Sequence, residues 1–254
     1  MITSLRNPRV AAAVRLHRGR GRREAGATLL EGPTLFAEAV AAGADVTTVF
    51  GLPDDAASRR GAASLGAEWT PVGADVLRKL STTREPQSPV AVLTIPSPAL
   101  PAAGHLLAAW GLGDPGNTGT LLRTAAAFGL GFAAGPGTAD LWSPKVLRSA
   151  MGGHWRTGCG NVTDLGDLRG SERVLAATVV AGGAPPQALR DAGPVALLIG
   201  EEAAGLSPAV VAAADLRVTI PMPGGTESLN AAAAGAILAY ELSGGGRGAP
   251  SGRD

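Results

Sequence analysis

Apolar and polar positions along this chain fall into blocks that alternate between strand-like and helix-like spacing. Near the N-terminus, Leu29 and Leu30 lead into Glu31-Gly32-Pro33, after which Leu35, Ala39 and Val40 form a helical stripe ending near Gly43. The β-branched and apolar runs at 46–50 and 90–95 read as strands. From residue 106 the alternation becomes regular. Strands are predicted at 106–112, 131–134, 174–180, 195–199 and 216–220, and helices at about 118–128, 143–152 and 229–242. That order predicts an α/β fold with a mostly parallel sheet covered by helices on both faces. Pro96, Pro98 and Pro101 lie in a stretch without periodicity, so a stiff linker at 98–104 is expected between a smaller α/β domain at 1–97 and a second domain at 105–243. The glycine-rich tail, 244–254, has no apolar face to bury and is expected to be disordered.

Composition narrows the class. With 254 residues, 45% of them hydrophobic, the chain can build real cores. It lacks the uninterrupted apolar run of about 18 residues that marks a membrane helix. The N-terminus lacks the apolar h-region that a secretory signal needs behind its basic residues, so a cytoplasmic location is expected. Cys159 is the only cysteine, which excludes an intramolecular disulfide and a cysteine-based zinc site. His17, His105 and His154 show no ligand spacing, and no metal is expected.

The net charge of +1 averages over an uneven distribution. Residues 1–23 hold seven arginines and no acidic residue. A block of guanidinium groups without counter-charge favours a polyphosphate partner, which makes Arg6, Arg9, Arg15, Arg18, Arg22 and Arg23 candidate RNA contacts. A solvated basic arm is the alternative.

Candidate chemistry concentrates in the second domain. Gly111-Leu-Gly113-Asp-Pro-Gly116 matches the dinucleotide-binding G-x-G-x-x-G, but Pro115 and Asn117 are expected to delay the helix, and the strand at 131–134 is followed by no ribose-binding carboxylate. A nicotinamide enzyme is therefore not expected. Asn117 is placed to cap the following helix, and Arg123 interrupts an otherwise apolar run, where a guanidinium usually has an anion to hold. Gly200-Glu-Glu202-Ala-Ala-Gly205 follows a predicted strand. The glycine-rich turn Ile220-Pro-Met-Pro-Gly-Gly-Thr-Glu-Ser-Leu-Asn230 precedes the last helix, which Ser228 can cap and whose Leu229, Ala233, Ile237 and Tyr240 fall on one face.

Taken in order, Asn117 to Ala125, Leu198 to Leu206 and Ile220 to Asn230 resemble the three motifs of the SpoU (TrmH-like) branch of the SPOUT RNA methyltransferases. The resemblance implies a C-terminal domain with a deep trefoil knot, an N-terminal RNA substrate-binding domain and a homodimer. It implies a catalytic Arg123 supported by Asn117, with Glu202, Ser228 and Asn230 completing the site, and S-adenosyl-L-methionine lined by Thr178, Ile199, Gly200, Ile220, Met222, Gly225, Ser228 and Leu229. A further matching segment, Asp140 to Gly153, implies that Lys145 and Arg148 face RNA. The implied reaction is 2′-O-ribose methylation, with 23S ribosomal RNA as the expected substrate. A transfer-RNA methyltransferase and a noncatalytic RNA-binding or ribosome-assembly protein are the alternatives.

Overall fold

The structure is a computed structural model that describes residues 1–97, 100–170 and 172–244. Part of the expected linker, 98–99, and all of the expected tail but Gly244 lie outside the described residues. The chain divides into two compact units, Met1–Ser97 with Asp140–Trp155, and Pro98–Ala139 with Arg156–Asp254.

The first unit opens with α1 (Pro8–Arg15) and α2 (Gly19–Ala25). It continues through β1 (Ala27–Glu31), α3 (Pro33–Ala41), β2 (Val46–Gly51), α4 (Ala56–Ser64), β3 (Glu68–Pro71), α5 (Ala74–Leu80) and β4 (Val90–Thr94). Its sheet has the order β1-β4-β2-β3, with β4 antiparallel to both neighbours and β3 parallel to β2. Successive strand residues point to opposite faces. Accordingly Leu29 packs with Val10, Leu16, Val76 and Leu80, whereas Leu30 packs with Phe36, Val49 and Leu93.

The arginine-rich segment is not an arm. Asn7 caps α1 by accepting from the Arg9 amide (2.9 Å), Pro8 suits the first helical turn, and Val10, Ala13 and Leu16 bury a stripe at helical spacing. All of the arginines but the buried Arg22 lie on the surface of this helical segment, and their density hid that stripe in the sequence.

The second unit begins with β5 (Leu106–Ala109), α6 (Pro115–Ala127) and β6 (Gly131–Ala134). The chain then contributes α7 (Pro144–Ala150) and a 3₁₀ turn (Gly153–Trp155) to the first unit. Residues 105–243 were expected to form one domain, but Leu147 is buried in the first unit's core, Thr28 Oγ1 donates to the Trp142 carbonyl (2.5 Å) and Arg22 pairs with Asp140 (2.5 Å). The second unit resumes with β7 (Cys159–Asn161), α8 (Gly166–Arg169), β8 (Val174–Thr178), β9 (Val195–Ile199), α9 (Pro208–Ala213), β10 (Leu216–Val218) and α10 (Ala231–Leu242). Its six strands are all parallel, in the order β10-β8-β9-β5-β6-β7. Strands β5, β6 and β9 are buried along their whole length, as a doubly covered parallel sheet requires. The buried Arg173 guanidinium donates to the carbonyls of Pro101 (2.5 Å) and Gly104 (2.6 Å), so the described part of the linker is tied into this unit.

On α10 the apolar face read from the sequence points largely outward, with Ala233 exposed and Leu229 half-buried. Ile237 and Tyr240 are exposed, while Ala231, Ala232, Gly235, Leu238, Ala239 and Leu242 are buried. Gly235 permits this packing, because a Cβ there would lie 2.2 Å from Leu121 Cδ2.

Candidate active site

Strands β5, β6 and β7 run in sequence toward one edge of the second sheet, whereas β9 lies on the other side of β5, followed by β8 and β10. The strand order therefore reverses between β5 and β9. In open α/β sheets the crevice at the carboxyl ends of strands around such a switch point is where ligands bind. The three candidate motifs all follow carboxyl ends of this sheet: Asn117 after β5, Glu202 after β9, and the 220–230 turn after β10.

A cavity of about 300 Å³ opens there. Thr178, Ile199, Gly200, Ile220, Met222, Ser228 and Leu229 line it; Gly225 does not. Gly225 instead closes the turn at φ +76°, its amide donating to the Met222 carbonyl (3.1 Å). Gly200 has a steric reason to be glycine, since a Cβ would lie 2.5 Å from the Gly205 carbonyl carbon. The Thr178 hydroxyl donates to the Leu198 carbonyl (2.9 Å) and joins the ends of β8 and β9. Leu206, Val218 and Leu238 complete the apolar wall. They escaped the sequence reading because they look like ordinary core positions. An apolar slot edged by loop backbone suits a purine nucleoside, so the residues present fit an adenosyl group.

Asn117, Glu202 and Asn230 converge on one oxygen. Glu202 Oε1 accepts from Asn117 Nδ2, from Asn230 Nδ2 (2.9 Å) and from the Ala231 amide (3.3 Å), while Asn230 Nδ2 also donates to Asn117 Oδ1 (3.0 Å). Two cap assignments change as a result. Helix α6 is capped by Asp114, whose Oδ1 accepts from the Asn117 amide (2.8 Å), and it opens at once with Pro115. Asn117 thus sits within the first turn with its side chain released toward Glu202, and the helix is not delayed. The missing ribose-binding carboxylate after β6 remains the argument against a dinucleotide site. Helix α10 is capped by Asn230, whose Oδ1 accepts from the Ala232 (3.0 Å) and Ala233 (3.2 Å) amides; Ser228 is exposed in the preceding turn.

Arg123 stands apart from this cluster. Six residues along a helix amount to a rotation of about 120° and a rise of about 9 Å, so Arg123 lies on a different face of α6 from Asn117. It is exposed and makes no hydrogen bond or ion pair among the described residues.

In the first unit the candidate RNA contacts divide. Arg6, Arg18 and Arg23 are exposed and make no ion pair among the described residues. Arg9 pairs with Glu68 (2.7 Å) and Arg15 with Glu24 (2.9 Å), both in the open. Arg22 is buried, with its guanidinium held by Asp140 and by the Leu16 (2.9 Å) and His17 (3.0 Å) carbonyls, which gives it a structural task. Lys145 is exposed on α7, and Arg148 pairs with the buried Glu31 (3.1 Å). Among the described residues no three His, Cys, Asp or Glu side chains are placed to hold a metal ion, and no helix is long and apolar enough to cross a membrane.

Known proteins share both units. Residues 7–91 match the MRM3-like substrate binding domain. The 23S rRNA (guanosine(2553)-2′-O)-methyltransferase RlmP of Bacillus subtilis is 33% identical over 249 residues, covering 96% of this chain and 99% of that protein. The crystal structure of the SpoU methyltransferase AviRb from Streptomyces viridochromogenes, in complex with the cofactor AdoMet, superposes with a TM-score of 0.85 at 28% identity, covering 94% of this chain and 97% of that one. An AdoMet-bound rRNA methyltransferase from Sinorhizobium meliloti gives 0.83 at 27%, over 95% and 96%. Residues 105–240, which hold the switch-point cavity and the Asn117–Glu202–Asn230 cluster, match the SpoU rRNA Methylase family, and the chain belongs to that family.

Proposed function

We propose that this chain transfers a methyl group from S-adenosylmethionine to a ribose 2′-hydroxyl of ribosomal RNA, with 23S rRNA as the substrate. The observation that carries the reading is the convergence of Asn117, Glu202 and Asn230 beside an apolar nucleoside-sized cavity at the strand-order switch. The adenosyl group would lie against Ile199, Leu206, Ile220, Met222 and Leu238. When bound, S-adenosylmethionine supplies an electrophilic methyl group: an O–C bond forms at the ribose, the S–C bond breaks, and the hydroxyl proton leaves.

The chain's own residues position and stabilise. Glu202 gathers its three donors on Oε1, so Oε2 remains to accept from a substrate hydroxyl. Asn230 fixes the start of α10 and holds Glu202 in place. Arg123 grips the phosphate next to the target ribose and stabilises negative charge on the attacking oxygen. A guanidinium stays protonated, so phosphate or water takes the proton. Because Arg123 lies about 120° around α6 from Asn117, we assign it to the site of a second copy of the chain. The exposed Ile237 and Tyr240 on α10, with Phe128 in edge contact with Tyr240 (centroids 6.1 Å apart), offer the homodimer an apolar face; Ala232 needs no partner, being already buried. The knot of the family fold and a cytoplasmic location belong to the same reading.

The test is methyl transfer from labelled S-adenosylmethionine to deproteinised 23S rRNA and to transfer RNA, followed by mapping of ribose methylation in cells with and without the gene. Methylation confined to 23S rRNA is expected. Transfer-RNA methylation would reassign the substrate, and RNA binding without transfer would leave a ribosome-assembly role.

A further inference from the structure

Glu31 ends β1 almost entirely buried, at 7% exposure. It is surrounded by donors. Ser81 Oγ (2.8 Å) and the Thr82 amide (3.1 Å) donate to Oε2, Thr82 Oγ1 donates to Oε1 (2.7 Å), and Arg148 Nη1 lies 3.1 Å from Oε2. The same Nη1 donates to Thr82 Oγ1 (2.9 Å), which closes a ring of three side chains from β1, α7 and the loop after α5. Only Nη1 of the guanidinium is used; Nε and Nη2 make no hydrogen bond among the described residues, and the side chain remains 30% exposed. Thr82 is exposed, as is Arg84 two residues on, which makes no ion pair among the described residues.

A buried ion pair is a weak source of stability, because desolvating both charges offsets most of their attraction. Its effect here is geometric: it holds the guanidinium through Nη1 and leaves Nε and Nη2 without a partner among the described residues, while Arg84 adds a further exposed positive charge to the segment that carries Thr82. A planar fork fixed in this way matches a phosphodiester oxygen pair. We infer that Glu31, Thr82 and Arg148 form an RNA-backbone site on the first unit, with Arg148 contacting phosphate and Glu31 and Thr82 as positioning residues. The inference rests on the reading of the chain as an RNA methyltransferase.

Charge counting and positioning make opposite predictions for Glu31→Gln. Removing a carboxylate beside an arginine should tighten polyanion binding if Arg148 acts only as a charge. If Glu31 positions it, binding should weaken, and we expect a loss of about 3- to 10-fold. The measurement uses the full chain and a short mixed-sequence single-stranded RNA, titrated at several salt concentrations, with S-adenosylmethionine affinity and circular dichroism as controls. Arg148→Ala should weaken RNA binding about tenfold and lower the salt slope by about 0.7, the value for one lost single-strand phosphate contact. Arg148→Lys should restore the slope but not the full affinity. Should Glu31→Gln fail to fold, Thr82→Val removes only the bridging hydroxyl of an exposed residue and should show the same loss. Tighter or unchanged binding by Glu31→Gln, or wild-type binding by Thr82→Val or Arg148→Ala, overturns the site. Methyl transfer by the wild type is scored separately: a wild type that binds RNA with these variant effects but transfers no methyl group would remove the enzymatic reading and leave the binding site standing.

Discussion

Asn230 does two jobs with opposite ends of one side chain, and a single substitution separates them. Its Oδ1 caps α10, while its Nδ2 donates to Glu202 Oε1 at 2.9 Å and to Asn117 Oδ1 at 3.0 Å. Asn230→Asp keeps the cap acceptor and adds a negative charge at a helix N-terminus, both favourable for the helix. It also turns the donor into a second carboxylate oxygen facing Glu202. Two unit charges 2.9 Å apart repel by about 1.4 kcal/mol even at the dielectric of water, the appropriate limit for exposed residues, and the lost hydrogen bonds add about 1 kcal/mol. Asn230→Asp should therefore destabilise the chain by about 1–2 kcal/mol despite an improved cap. Asn230→Ala should cost a similar amount by the other route, through loss of the cap.

The second substitution tells them apart. Adding Glu202→Gln to Asn230→Asp reverses the polarity of the pair, since the new amide at position 202 can donate to the new carboxylate at position 230, and most of the lost stability should return. Adding it to Asn230→Ala should recover nothing. Urea unfolding of the four variants measures the coupling, and methyl transfer on the same samples measures the chemistry. If Glu202 Oε2 accepts from substrate, the reversed pair should be stable yet still slow. An Asn230→Asp protein as stable as the wild type, or a double variant no more stable than Asn230→Asp alone, would refute the account of the cluster.

How much of this was legible depended on the range of the interactions. Strands β6 and β9 match their predicted limits, because short apolar runs bounded by glycine or proline leave little choice of extent. The motif residues were legible as a set, but their partners were not: Asn117 meets Glu202 across 85 residues of sequence and Asn230 across 113. The cap of α6 was misplaced although its signal was present, an aspartate immediately before a proline at the first helical position. Helix α1 was missed because arginines masked a three-residue apolar stripe, and α2 because it has no apolar stripe, only Gly21 and Arg22 being buried. The transfer of Asp140–Trp155 to the first unit had no local signature at all. It depends on Leu147 finding the core around Leu30, and on Asp140 supplying the charge for Arg22, since the neighbouring Glu24 is paired with Arg15 and Arg20.

Arg123→Ala should lower methyl transfer by about 10² to 10³ while leaving S-adenosylmethionine affinity nearly intact, and near-normal turnover would remove the assigned role. If the site is shared, mixing Arg123→Ala with Asn230→Ala chains should restore part of the activity through hybrid dimers; an active monomer by light scattering would refute the sharing. Gly235→Ala should cost about 1–3 kcal/mol, because the new methyl group drives into Leu121 between α6 and α10; an unshifted urea midpoint would mean that the helices separate freely. The last concerns pH. His154 is buried, packs against Trp142 with the rings tilted by 45° (centroids 4.8 Å apart) and directs Nε2 at the Leu141 carbonyl (2.8 Å), while Nδ1 has no partner among the described residues; burial lowers its pKa from 6.5 to about 4. Between those values the unfolded chain binds a proton that the folded chain refuses, so the stabilisation is complete above about pH 6.5 and is lost as pH falls toward 4, up to about 3 kcal/mol. Replacing His154 with Gln removes that titration, so its urea midpoint should vary less between pH 7 and pH 4.5 than that of the wild type. Parallel profiles for the two proteins would show that His154 takes up its proton in the folded state at an ordinary pKa, through an opening of the buried site.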